Sequence, residues 1–173
     1  MDLLVFGLIG LVLLFCVVVA FGAPYLPTLS RQAEDALDLL DLNSGQTMLE
    51  LGCGDGRVLL AAAKRGVHSV GYEINPVLVV VARLMTWRYR GIVSVRWGNY
   101  WNANWPRADG IYVFLLDRYM RKLDTKVTQW QQGSVRVVSY AFAVPGRKPS
   151  KQTNGLFLYL YDDPRHKRRI PTS

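Results

Sequence analysis

Three glycines at alternate positions, in "LELGCGDGRVLL" over residues 49–60, lie between two apolar runs and directly follow an acidic residue. Glycine gives up more conformational freedom on folding than any other residue, so such a cluster needs a reason. It serves either a tight turn or a ligand that must lie against bare backbone. The flanks narrow the choice. "TMLEL" reads as a short buried strand, and "RVLLAAAKRG" has helical spacing closed by Gly66. A strand that runs through glycines into a helix is the opening unit of an α/β sheet.

The pattern then repeats. "HSVGYEI" reads as a second strand. Asn75 caps a helix whose first position is Pro76, and "NPVLVVVARLMTWRYRG" carries it to Gly91. "VSVRW" and "GIYVFLL" are strands three and four. "DRYMRKLDTKVTQWQ" is helical through Tyr119, Leu123 and Val127, "SVRVVSYAF" is strand five, and "GLFLYLY" is a late strand. "AVPGRKPSKQTN" between those two is polar and turn-rich. Ahead of the first strand, "SRQAEDALDLLDL" is a helix with Ser30 as its cap and Ala33, Ala36, Leu37 and Leu40 on one stripe. Alternation of this kind predicts an α/β, Rossmann-like fold: a parallel sheet with helices on both faces and right-handed crossovers. Ligands in such sheets bind beyond the carboxyl ends of the strands, which is where the glycines fall.

The mean hydropathy of +0.10 is high for a soluble chain, and the excess sits at the start. Residues 3–22 contain no charge. About 20 apolar residues span a bilayer's hydrocarbon core. A cleaved signal peptide and a buried core helix are the alternatives, but the run lacks a basic leader and is long for both. One N-terminal transmembrane helix is therefore expected over 1–23. Residues 24–46 follow as linker and helix, 47–162 as the domain and 163–173 as a basic tail. Basic residues beyond the run place the domain on the cytoplasmic or organelle-matrix side. Cys16 and Cys53 suggest neither a disulfide framework nor a metal site. The net charge of +8 collects partly in "RHKRR" and "GRKPSK". These read as a solvated tail or as a contact to an anionic membrane, ahead of a nucleic-acid surface, because basic and aromatic residues are not interleaved.

The turn is G-x-G-x-G. It is not the G-x-G-x-x-G of a dinucleotide site and lacks the Lys-Ser/Thr of a phosphate loop. Glu73, ending the second strand, stands where a carboxylate accepts hydrogen bonds from two ribose hydroxyls. "LELGCGDGR" followed by "VGYEINP" resembles the first motifs of the seven-strand S-adenosylmethionine-dependent methyltransferases. "PYLPT", "GYEINP" and "ADGIYVFLL … GSVRVVSYAF" narrow the likeness. They resemble the membrane-anchored lysine methyltransferases of the ATP synthase c-subunit and the adenine nucleotide translocase, with their prokaryotic relatives, from about residue 24 to 161.

The resemblance implies S-adenosyl-L-methionine as cofactor and a set of roles. Glu50 orders the turn and reaches the methionine ammonium, directly or through water. Gly52, Cys53, Gly54, Asp55 and Gly56 form the turn that admits the methionine portion. Glu73 holds the ribose, and Ile74 covers an adenine face. Asn99 stands where the family often has an acidic residue that reads the adenine amino group. Asp55 and Arg57 either contact ligand or pair locally to brace the turn. Trp97, Trp101 and Trp105 are expected in packing or a lid, and His68 in a structural place.

Methyl transfer from a sulfonium is an in-line displacement that needs no metal; the protein supplies alignment. Asp117 and Tyr119 beyond strand four are candidates to orient an acceptor amine, and Tyr25 to close over the cofactor. Asp117 is equally placed for a helix N-cap. The expected function is N-methylation of a lysine on a membrane protein. A lipid or quinone-like acceptor, or a non-catalytic membrane module, are the alternatives.

Overall fold

In the computed structural model, which describes residues 5–7, 9–10, 30–131 and 133–162, the first strand lies in the middle of a sheet. Strands β1 (Thr47–Leu51), β2 (His68–Glu73), β3 (Val93–Trp97), β4 (Gly110–Val113), β5 (Val135–Tyr140), β6 (Lys151–Thr153) and β7 (Leu156–Tyr161) alternate with helices α1 (Ser30–Leu40), α2 (Arg57–Lys64), α3 (Pro76–Met85) and α4 (Asp117–Trp130). Their spatial order is β3-β2-β1-β4-β5-β7-β6. The strand order reverses between β1 and β4, the switch point at which doubly wound sheets bind ligands. β1 pairs in parallel with both neighbours, Glu50 lying opposite Gly71 on one side and Tyr112 on the other.

Local chemistry accounts for the elements. The predicted stripe of α1 is buried: Ala33, Ala36, Leu37 and Leu40 are each at most 4% exposed. Asn75 caps α3 as expected, its side chain accepting the Val77 N–H at 2.9 Å, with Pro76 at the first position. That helix stops at Met85, however, and Trp87–Tyr89 continue only as a single 3-10 turn. On α4 the fully buried stripe is Met120, Leu123 and Val127, with Tyr119 only partly covered.

The sheet has the seven strands that the resemblance implies, and at one edge it departs from the parallel arrangement read from the alternation. β7 runs antiparallel to β5 and to β6. β6 lies in the stretch read as turn-rich. Asn154 and Gly155, at φ 48° and 76°, form the two-residue hairpin between β6 and β7. β4 ends at Val113, short of the predicted Leu116, and β5 ends at Tyr140, before Ala141 turns the chain with φ 69°.

Helices do cover both faces, but unequally. α1, α2 and α3 share one core with Met48, Tyr112 and Val138. The other core joins Leu49, Leu51, Ile111 and Val113 to α4 alone, with the aromatic loop between β3 and β4 filling the rest. Trp105 in that loop is buried, donates from its indole to the Tyr100 carbonyl at 2.8 Å and meets Trp130 edge-on at 5.5 Å. Lys126 of α4 ties the loop down by donating to the carbonyls of Trp101 (2.7 Å) and Ala103 (3.3 Å). Trp101 and Trp105 are thus packing residues, while Trp97 is 68% exposed. His68 opens β2 with an exposed side chain and holds no buried structural position.

Most of the apolar run, the linker with Tyr25 and the basic tail lie outside the described residues. Residues 5–7 and 9–10 are helical. No helix among the described residues is long and apolar enough to cross a membrane.

Candidate functional site

The chain leaves β1 through Gly52, Gly54 and Gly56, at φ 89°, 53° and 82°, all in the left-handed region that L side chains rarely enter. The three glycines do different jobs. A Cβ on Gly56 would fall 2.9 Å from the Cβ of Ala82, so here the turn packs tightly on α3. A Cβ on Gly52 would meet nothing within 4 Å. Gly52 therefore borders open space, whereas Gly56 is a close-packing position. The turn foreseen for the glycines is present, and Gly52 leaves its backbone bare on one side.

Cys53 faces the core. Its thiol stands 2.8 Å from where a Cβ of Gly71 would be. Burial, then the charge of Glu50, pushes its pKa up, so it stays a neutral thiol. Its N–H donates to the Tyr72 carbonyl at 2.9 Å and its carbonyl accepts from Gly56 at 2.8 Å. The side chain of Cys53 is thus turned away from the open space at Gly52, and its main chain is engaged within the turn.

Two carboxylates bracket that turn. Glu73, 8% exposed, accepts the Gly54 N–H at 2.9 Å on one oxygen and the Asn75 N–H at 2.8 Å on the other. Each oxygen retains a further lone pair. Glu50, 4% exposed, is different: its Oε2 is buried without any hydrogen-bond partner. Burial holds its pKa well above the carboxylate range, Asp55 and then Glu73 add to the rise, and the Leu59 N–H opposes it. Oε2 is thus a buried acceptor with no donor, beside the carboxylates of Asp55 and Glu73, which a cation would satisfy.

Asp55 and Arg57 settle into the local pair. The guanidinium reaches both carboxylate oxygens, the closest at 2.6 Å, and the Arg57 N–H joins at 3.2 Å. Ile74 is 48% exposed directly after Glu73, with its carbonyl accepting from the Trp97 indole at 3.0 Å. Asn99 is exposed, but its Oδ1 accepts the Trp101 N–H at 2.9 Å in a turn of its own. The oxygen offered for an adenine amino group is therefore already partly engaged.

Asp117 and Tyr119 lie just beyond β4, across the switch point. Leu116 is the residue preceding α4 and Asp117 its first helical residue, so Asp117 is not the cap. Its side chain is exposed. Tyr119 lies under the Arg118 guanidinium at 4.9 Å and faces Trp101 at 6.1 Å. Trp101 in turn contacts Tyr100 at 4.9 Å. Burial, then the neighbouring Tyr119 and Glu73, raise the pKa of Tyr100. Tyr100 thus packs on Trp101, which in turn faces Tyr119 at the start of α4. Sequence reasoning did not single it out; its signal was its position two residues beyond Gly98 in a turn that must cover the sheet edge.

Open backbone at Gly52, an unpartnered buried oxygen on Glu50 and a positioned carboxylate on Glu73 together fit an aminoacyl nucleoside: ammonium to Glu50, sugar to Glu73. Among the described residues no cluster of metal-ligating side chains accompanies them.

Comparison with known proteins agrees. A family model described as the ANTKMT methyltransferase domain matches residues 50–151. The lysine N-methyltransferase of the ATP synthase c-subunit from Xenopus laevis is 32% identical over 155 residues, covering 83% of this chain and 68% of its own. A protein-lysine N-methyltransferase of Saccharolobus islandicus is 29% identical over 132 residues, covering 74% and 82%. Among solved structures, an RNA methyltransferase from Salinibacter ruber in complex with S-adenosyl-L-homocysteine aligns with a TM-score of 0.73 at 27% identity, covering 86% of this chain and 98% of that one.

Proposed function

The chain belongs to the ANTKMT methyltransferase family, and from that premise we propose that it N-methylates a lysine of a membrane protein. It is an S-adenosylmethionine-dependent methyltransferase. The observation that carries the site is the buried Glu50 Oε2 without a partner, on the residue two before Gly52, where a Cβ would meet nothing within 4 Å. When bound, the cofactor supplies a sulfonium methyl group for in-line displacement.

In this reading Glu50 takes the methionine ammonium and becomes a paired carboxylate. Gly52 leaves room for the methionine portion, and Gly54 keeps the turn closed through its bond to Glu73. Glu73 holds the ribose hydroxyls with its remaining lone pairs, and Ile74 lies against the adenine. Asn99 contributes its free amide end. Asp55 braces the turn through Arg57 rather than touching the ligand.

The acceptor side is formed by Tyr100, Trp101, Tyr119 and Asp117. Alignment must bring nucleophile and methyl carbon to about 3–3.5 Å. A lysine amine has an ordinary pKa of about 10.4 and must first lose a proton to solvent. The aromatic wall lowers that pKa by desolvation, and Asp117 and the Tyr119 hydroxyl orient the neutral amine. Tyr25 closes the site from the linker. The apolar run over 3–22 anchors the chain in a single pass, leaving the domain on the cytoplasmic or matrix side, where the loops of a membrane protein are within reach. The names of the relatives support a protein-lysine acceptor; the length and flanks of the run support the membrane.

Incubating the full chain with native membranes and a labelled methyl donor tests this. Label in a protein band, recovered as methyl-lysine after hydrolysis, is the expected result. Label confined to the organic extract transfers the activity to a lipid-like acceptor and refutes the protein substrate.

A further inference from the structure

Helix α3 is apolar on the side it does not bury. Val79 and Ala82 face the core, while Val80 is 55% and Leu84 69% exposed, with Val77 beside them at 39%. At 100° per residue, Val77, Val80 and Leu84 form one stripe directly opposite the core-facing positions. Trp87 (61%) and Trp97 (68%) extend the surface at its two ends. A soluble helix exposes its polar face; this one exposes valine, leucine and tryptophan. A contiguous apolar patch of that kind marks a contact surface.

The charge around the patch identifies what it meets. Between residues 74 and 108 the sequence holds five arginines and no Asp, Glu or Lys. Arg83, Arg88 and Arg90 are exposed on and just after the helix. Arg83 is steered toward the sheet edge by donating to the Val95 carbonyl at 3.1 Å, and Arg90 lies 4.8 Å over the Trp87 ring. Apolar stripe, flanking tryptophans and a basic rim with no acid are the features of a helix lying in the interface of an anionic bilayer. We infer that the outer face of α3, with Trp87 and Trp97, rests on an anionic lipid surface. The contact belongs to the folded domain and is separate from the apolar run over 3–22, and its absence would leave the proposed methyl transfer standing.

Two other occupants fit less well. A two-fold copy would set the arginines against their own duplicates. The uncharged run over 3–22 has nothing to offer the arginine rim.

The test uses the full chain with Cys16→Ser, one copy per lipid nanodisc, and an environment-sensitive fluorophore on Leu84→Cys or, as control, on the exposed α4 position Arg121→Cys. The discs contain phosphatidylcholine with or without phosphatidylglycerol. S-adenosylhomocysteine binding confirms folding, and Val80→Cys replaces Leu84→Cys if that variant fails to bind. The expected result is a blue shift at position 84 with loss of intensity to brominated acyl chains, stronger with phosphatidylglycerol and absent at position 121. Water-like emission at both positions overturns the inference. So does a shift at 84 that appears only with two copies per disc, which assigns the face to self-association, or only on adding RNA, which assigns it to nucleic acid.

Discussion

The main-chain amide of Gly54 donates to Glu73 at 2.9 Å, so the carboxylate proposed to hold the ribose also closes the glycine turn. The second Glu73 oxygen holds the Asn75 N–H at 2.8 Å, at the start of α3. Glu73→Ala is therefore expected to do two things. It lowers the stability of the ligand-free protein by about 1.5–3 kcal/mol, the range for a hydrogen bond to a charged group, and it weakens S-adenosylhomocysteine binding. Glu73→Gln keeps one acceptor and should lose less of both. Denaturant melts and calorimetric titration read the two effects separately; unchanged affinity in a folded Glu73→Ala variant contradicts the ribose assignment.

With Glu50 as the proposed partner of the methionine ammonium, cofactor binding is expected to depend on pH. Its pKa is raised in the free protein by burial, Asp55 and Glu73, and pairing with an ammonium favours the charged form. Below the raised pKa, binding must first strip a proton, so affinity rises with pH until that pKa is passed and then levels. Proton release on binding, seen as a buffer-dependent heat, is expected in the same window. Glu50→Gln should flatten the profile.

The same carboxyl costs stability. A group whose pKa is higher folded than unfolded holds more protons in the folded state. Its contribution is complete below the unfolded pKa and is lost as pH rises through the folded one. Glu50→Gln removes this slope by putting a neutral amide where a carboxyl must ionise, raising the stability of the ligand-free protein near neutral pH. The gain is offset by weaker cofactor binding. Thermal melts with and without S-adenosylhomocysteine check both halves.

Gly52 and Gly56 separate ligand space from packing. Both carry positive φ, so alanine at either strains the backbone by about 1–2 kcal/mol. Gly56→Ala adds a collision with Ala82 and should mainly lower the melting temperature. Gly52→Ala collides with nothing in the ligand-free chain and should mainly abolish cofactor binding. Equal effects of the two variants on affinity would show that the space at Gly52 is not where the cofactor lies.

On the acceptor side, Asp117→Asn and Tyr119→Phe are expected to leave S-adenosylhomocysteine affinity unchanged while slowing turnover by about 10²-fold, the cost of misaligning a nucleophile by about 1 Å. Single-turnover transfer to the labelled membrane substrate measures it. Normal rates in both variants would move the acceptor site away from the start of α4.

The sequence carried the α/β order because hydrophobic period and capping agree locally: Asn75, Pro76 and the stripe of α1 each behave as their chemistry demands. The antiparallel edge was less legible. Its signal, Asn154-Gly155, is a strong two-residue hairpin pair, but it stood in a polar stretch whose strand β6 is only three residues long. The fate of Cys53 was hidden because its neighbour across the sheet, Gly71, offers space only once the two strands are paired. Tyr100 was invisible for a similar reason: it meets Tyr119 of α4 only through Trp101, once the loop has folded against that helix. What α3 exposes was also unreadable, since a helix this apolar looks buried on all sides until its neighbours are known.

The central claim is tested most directly by a crystal structure with S-adenosyl-L-homocysteine. The methionine ammonium is expected within hydrogen-bond reach of Glu50 Oε2, the carbon skeleton over Gly52 and both ribose hydroxyls on Glu73. A nucleoside bound elsewhere, or a Glu50 left unpaired with the ligand in place, would contradict it.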